Sequence, residues 1–143
     1  MTTKIADLMA RRVIVAEPHH TVAHVRGLFE RSRISAVPVV GPEGEALGIV
    51  SKTDLARPLK DGTPIGRIMT KEVRRIPQYD DVASAARAMR RHKVHHLIVT
   101  HEKKVVGVIG AFDLLKLVEN HRFVAKPATT KKKNGRAGRS ASA

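Results

Sequence analysis

Blocks of sequence recur along this 143-residue chain at a nearly constant offset, and that duplication constrains the fold more than any other feature. Ile5-Ala6-Asp7-Leu8-Met9 returns as Ile65-Gly66-Arg67-Ile68-Met69, sixty positions on. Thr21-Val22-Ala23 matches Asp81-Val82-Ala83, and Ile34-Ser35-Ala36-Val37-Pro38-Val39-Val40 lines up with Val94-His95-His96-Leu97-Ile98-Val99-Thr100. Gly48-Ile49-Val50-Ser51-Lys52-Thr53-Asp54-Leu55 then matches Gly107-Val108-Ile109-Gly110-Ala111-Phe112-Asp113-Leu114 at an offset of fifty-nine. The missing residue falls in a turn, where such deletions are tolerated. One unit of about 55 residues buries too little surface to be stable alone. Two copies packed sheet to sheet bury both, so the duplication predicts a pseudo-twofold axis with a cleft on each side.

Each copy reads strand–helix–strand–strand–helix, an α+β unit. In the first, a short strand near Val13–Val15 precedes a helix capped by Thr21, with Val22, Val25, Leu28 and Phe29 on one face. Strands follow at Ala36–Val40 and Leu47–Val50, and a closing helix is expected from near Lys52 to before Pro58. The second copy repeats this with Asp80 or Asp81 as cap, strands Leu97–Thr100 and Val105–Ile109, and a helix from about Phe112 to Asn120. The expected division is residues 1–62, with leader and linker, then 63–124, then a tail over 125–143.

Apolar residues make up 42% of the chain and aromatics only 3%, so Val, Ile, Leu, Ala and Met must build the core. Cysteine is absent, which excludes disulfides and thiolate metal sites. No apolar run approaches the roughly 20 residues that span a bilayer, and the start shows no secretory pattern. A cytoplasmic protein without membrane association is the expectation. The formal charge is +14, of which residues 126–143 carry six without a single acid, leaving +8 on the rest. That balance suits an anionic small molecule as well as a polynucleotide.

The chain from Lys4 to about Glu119 resembles a cystathionine-β-synthase-type (CBS) domain pair, or Bateman module. The resemblance rests on the paired leaders ending Leu8-Met9 and Ile68-Met69, on Ala36-Val37-Pro38-Val39-Val40, and above all on Gly48-Ile49-Val50-Ser51-Lys52-Thr53-Asp54. That heptapeptide fits the family pattern Gly-h-h-Ser/Thr-x-x-Asp, h being apolar. The resemblance implies a regulatory module for an adenosine-containing ligand such as AMP, ATP, an alarmone, S-adenosylmethionine or a reduced nicotinamide cofactor, with no resident cofactor. It implies that the motif of one repeat holds the ribose, and that apolar residues of the other sandwich the adenine. One site would then use Asp54, Ser51 and Thr53, faced by Arg74, Arg75 and Ile76 and by His95, His96 and Leu97. The other would use Asp113 and Phe112, faced by Val13 to Val15, Ser35, Ala36, Val37 and Pro38. Gly110, Phe112 and Ile98 depart from the pattern in the second copy, which favours the Asp54 site for phosphate; Phe112 would stack on a base or plug its cavity. By the same resemblance a homodimer is expected, acting on an effector protein the sequence does not name.

Plainer readings stand beside these. A Ser cap with an acid three residues on stabilises a helix start without any ligand. His95 and His96 would point to opposite faces of a strand, so they do not chelate one ion, and no metal site is expected. No Ser/His/Asp or Cys/His arrangement emerges, so the reading is of a non-enzyme. The tail, rich in Lys, Arg, Ala, Ser and Gly, should be disordered. It supports an alternative in which the repeats are a scaffold and the basic surface binds nucleic acid or an acidic partner.

Overall fold

The pairing of each copy's strands follows from the positions of its turns. In the computed structural model, which describes residues 3–9 and 13–120, Ala36–Val40 (β1) and Ala46–Ser51 (β2) form an antiparallel pair across the Gly41–Glu45 turn. In the second copy His96–His101 (β4) and Lys104–Gly110 (β5) pair in the same way, and Arg75–Pro77 (β3) adds to β4 in parallel. A two-stranded and a three-stranded sheet result, with β1 against β5. The tail expected over 125–143 lies outside the described residues.

The helices begin and end where the sequence marks them. Val22–Ser32 (α2) is capped by the Thr21 hydroxyl, which accepts from the His24 amide at 3.1 Å. Val82–His92 (α3) is capped by Asp81, which accepts from the Ser84 amide at 2.8 Å. That bond holds the Asp81 carboxyl below the usual carboxylate range. Both helices stop at a left-handed residue, Arg33 and Lys93, at matching places in the duplication. A one-turn helix, Ile5–Leu8 (α1), opens the described chain, and Ala111–Asn120 (α4) closes it.

Two expected elements differ. Val13–Val15 forms no ladder: sheet pairing is confined to Ala16, whose N–H donates to Pro38 and whose carbonyl accepts from Val40, both at 2.9 Å. The helix expected from Lys52 is a single turn, closed by Leu55 N–H to the Ser51 and Lys52 carbonyls and by Ala56 N–H to Thr53. Pro58 accounts for this, since the residue before a proline is driven out of helical space. Only Leu55 of that segment is buried, so no apolar stripe sustains more turns.

The two apolar cores show an exchange. Ile65 is fully buried in the core of the first copy, beside Val22, Val25, Val37 and Val50, with Ile68 and Met69 packed against it. Ile5 is fully buried in the core of the second, beside Ala85, Leu97, Val99 and Ile109, with Leu8 and Met9 against it. Backbone bonds fix both leaders: Ile5 N–H to Asp80, Val82 N–H to Thr3, Ile49 N–H to Thr70 and Thr70 N–H to Ile49. Each leader therefore completes the core of the opposite copy.

Candidate functional site

The open ends of the two hairpins meet near the pseudo-twofold axis, leaving a cleft on either side. The larger, of about 610 Å³, is lined by Arg33, Ser35, Ala36 and Lys52 from the first copy and His95, His96, Phe112 and Asp113 from the second, among others. The smaller, of about 370 Å³, is lined by Ser51, Lys52, Thr53 and Asp54 with Arg74, His95 and His96, and by Glu72 and Ile98. Both volumes fall within the range of small-molecule sites.

In the smaller cleft, Asp54 accepts from the Ser51 amide at 2.9 Å and from the Ser51 hydroxyl at 3.2 Å, both on Oδ2. The Ser51 hydroxyl in turn accepts from the Asp54 amide at 3.3 Å. This is the reciprocal cap that the plain reading describes. It occupies one carboxylate oxygen; among the described residues no donor reaches Oδ1. In the larger cleft, Asp113 Oδ2 accepts from the Gly110 amide at 2.7 Å, while its Oδ1 lies 3.8 Å from the Lys116 ammonium. Gly110 lacks the hydroxyl that Ser51 supplies, so that cap has one hydrogen bond where the first has three. Phe112 is 84% exposed, so it does not plug its cleft.

Strand alternation separates the remaining residues expected at the sites. On β1 Ala36 reaches the cleft while Val37 is buried in the core, and on β4 His96 reaches it while Leu97 is buried. Pro38 is fully buried and Ile76 belongs to the second core, so neither presents a surface to a cleft. Arg75 reaches across the copies, donating to the Ala46 carbonyl at 3.4 Å, and lines neither cleft. Val13 and Val15 line neither, Val13 being exposed. Arg33, Lys52, Glu72 and Thr70 line clefts without having been singled out in the sequence. Lys52 sits inside the motif itself and was the most legible of these.

His95 precedes β4 rather than lying in it, so the opposite-face argument does not apply, and both residues border both clefts. His96 Nε2 lies 3.0 Å from Ser35 Oγ, a polar contact between the copies. Burial pushes the His96 imidazole below its ordinary value; neighbouring His95 lowers it further, and Asp113 opposes. Among the described residues no cluster of three His, Asp or Glu side chains is arranged to hold a metal ion.

A family model for the CBS domain matches residues 5–61 and again 65–120. Among curated proteins, an uncharacterized 17.7 kDa protein of Acidianus ambivalens is 24% identical over 94% of this chain and 86% of its own. The inosine-5'-monophosphate dehydrogenase of Mycobacterium bovis is 32% identical over 86% of this chain, which spans 22% of that enzyme. The chain likewise spans 24% of the homoserine O-acetyltransferase of Methanosalsum zhilinae. Among solved structures, the CBS domain pair of protein MJ0100, in complex with 5'-methylthioadenosine and S-adenosyl-L-methionine, superposes with a TM-score of 0.77 at 22% identity, covering 83% of this chain and 98% of that one. A putative signal-transduction protein with CBS domains from Burkholderia ambifaria gives 0.75 at 25% identity, covering 87% and 100%. CBSX2 in complex with AMP gives 0.70 at 20%, covering 82% and 96%.

Proposed function

The chain belongs to the CBS domain family, and from that premise we propose that it is a regulatory module, not a catalyst, that binds an adenosine-containing ligand between its two repeats. The observation that carries this reading is the Asp54 carboxylate in the smaller cleft, with Oδ2 in the cap and Oδ1 without a donor among the described residues. A carboxylate oxygen so placed accepts well from a ribose hydroxyl, because charge-assisted bonds are the stronger ones. Lys52 and Arg74 supply the positive side chains that a phosphate or sulfonium-carboxylate tail needs, with His95 and His96 beside them in the cleft lining. The ligands in the MJ0100 and CBSX2 structures share the adenosine group, which supports that ligand class.

The Asp54 cleft is the better phosphate site in this reading, and the Asp113 cleft the roomier one. Asp113 shares its second oxygen with Lys116, so a ribose there competes with an ion pair. Ligand binding acts by favouring one arrangement of the repeats over another, to the extent of its differential affinity. The output passes through a protein partner. The chain is further read as a homodimer, which the exposed Phe112, Leu115 and Val118 of α4 support. A cytoplasmic location is part of the same reading, and no described helix is long and apolar enough to cross a membrane.

Thermal unfolding with AMP, ATP, S-adenosylmethionine and 5'-methylthioadenosine tests the proposal. A ligand at a hundred times its dissociation constant adds about 2.7 kcal/mol. Asp54→Asn, which keeps an acceptor for the Ser51 amide, should shrink the shift at the Asp54 cleft while leaving the unliganded transition nearly in place. No shift with any of the four would overturn the reading.

A further inference from the structure

The two leaders are seated by the same backbone bonds on turns of different chemistry. Ile65 N–H donates to the His20 carbonyl at 2.8 Å and Gly66 N–H to the Pro18 carbonyl at 3.0 Å. Sixty positions away, Ile5 N–H donates to the Asp80 carbonyl at 2.9 Å and Ala6 N–H to the Gln78 carbonyl at 3.0 Å. In the second copy the Asp80 carboxylate accepts from the next amide, that of Asp81, at 2.8 Å. In the first copy an imidazole closes the turn: Glu17 N–H donates to His20 Nδ1 at 2.9 Å, and His20 N–H to the Glu17 carbonyl at 2.9 Å. The bond to Nδ1 needs a bare nitrogen, so His20 is neutral with its proton on Nε2.

Two more imidazoles flank this ring, with centroids 4.6 Å away for His19 and 4.4 Å for His24 in the first turn of α2. Glu17 faces the group as well, its carboxylate 3.7 Å from His19 Nδ1. On the segments packed against the turn, Lys60, Asp61 and Arg67 carry charge, and Asp61 is paired with Arg26 at 3.5 Å. Burial, then His24 and His19, lowers the His20 pKa, and Glu17 opposes. Protonation makes Nδ1 a donor facing the Glu17 N–H and puts a cation between two imidazoles. The turn that loses its closing bond is the one that carries the second leader.

We propose that His20 is a pH-dependent latch, whose protonation releases the second leader from its seat and leaves the first leader, seated on Asp80, in place. The leader runs on into Thr70, Glu72 and Arg74, which line the smaller cleft. Thr70 N–H donates to the Ile49 carbonyl at 2.9 Å, so that wall is held through the same segment. Acidification therefore loosens one cleft wall from a turn that lines neither cleft. A fall of ligand affinity there with pH rests on the adenosine-ligand reading above; the latch does not.

Amide-resolved hydrogen exchange of the full chain without ligand, expressed as protection relative to the intrinsic rate, tests this between about pH 7.5 and 5.5. The Ile65, Gly66 and Thr70 amides should lose at least about three-fold more protection than those of Ile5 and Ala6, roughly half a unit of proton linkage. His20→Asn offers the Glu17 amide a side-chain oxygen that does not titrate, and should remove the difference. His24→Gln removes an imidazole that lowers the His20 pKa, and should move the loss to higher pH. Equal losses at the two leaders, or a difference that persists in His20→Asn, would overturn the latch. Should His20→Asn not fold, the two leaders of the native chain and the direction of the His24→Gln shift still decide. Thr70 staying protected while Ile65 and Gly66 open would overturn the link to the cleft wall. Because no ligand is present, none of these outcomes depends on the adenosine-ligand reading.

Discussion

At Gly48 a β-carbon would stand 2.6 Å from Met69 Sδ and 2.8 Å from the Thr70 carbonyl oxygen, because the second leader runs against β2 at that point. At the matching Gly107 the nearest atom is Met9 Sδ at 3.0 Å, the end of a side chain that can rotate away. Gly48→Ala should therefore destabilise the protein by about 1–3 kcal/mol, the usual cost of overpacking. Gly107→Ala should cost clearly less, and denaturant unfolding of the two variants measures the difference. Histidines give the protein a pH dependence of stability. His96 and His20 both have lowered pKa values, His96 through burial and then His95, His20 through burial and then His24 and His19. Asp113 and Glu17 oppose these shifts without cancelling them. The unfolded chain then binds these protons more readily than the folded one, so stability is lost as pH falls through about 6.5, the unfolded value. The melting temperature should drop between about pH 7.5 and 5.5, a window that brackets that value, and His96→Gln should flatten part of that drop.

Among the elements, the leaders carry the largest expected effects. Ile5 and Ile65 are each fully buried in the core of the opposite copy. Truncating either to Ala should cost about 2–5 kcal/mol, the range for large-to-small changes in cores. Thr21→Ala should cost about 1 kcal/mol through loss of the α2 cap. Unfolding in urea, with the same transition seen by far-ultraviolet circular dichroism and by calorimetry, checks all three. The caps, the buried stripes and the four long strands were legible in the sequence because each rests on local chemistry or period. The exchange of leaders was not, since the pattern of Ile5, Leu8 and Met9 marks a buried face without saying which core receives it. The missing helix after Lys52 was legible in principle from Pro58, whose influence reaches back onto Arg57 and leaves room for one turn only.

For the whole molecule, the duplication itself made the two clefts predictable, while the assignment of Asp54 and Asp113 to them came from the family resemblance. The expected clefts gained Ser35, Ala36 and His96 but not Val37, Pro38 or Leu97, because local backbone direction, not motif membership, decides what a strand presents. Lys52 and Arg33 come into the clefts by the way the two hairpin ends meet, which only the assembled pair reveals. The central claim is that an adenosine-type ligand binds between the repeats. The most direct measurement is an amide-resolved nuclear magnetic resonance titration of the isotope-labelled chain with AMP. The Ser51 and Gly110 amides, bonded to Asp54 and Asp113, report on the two carboxylates. The account predicts shifts concentrated at Ser51–Asp54, His95–His96 and Gly110–Asp113, with the exposed arginines of α3 unmoved. Shifts confined to the α3 surface, or none at saturating AMP and S-adenosylmethionine, would contradict it.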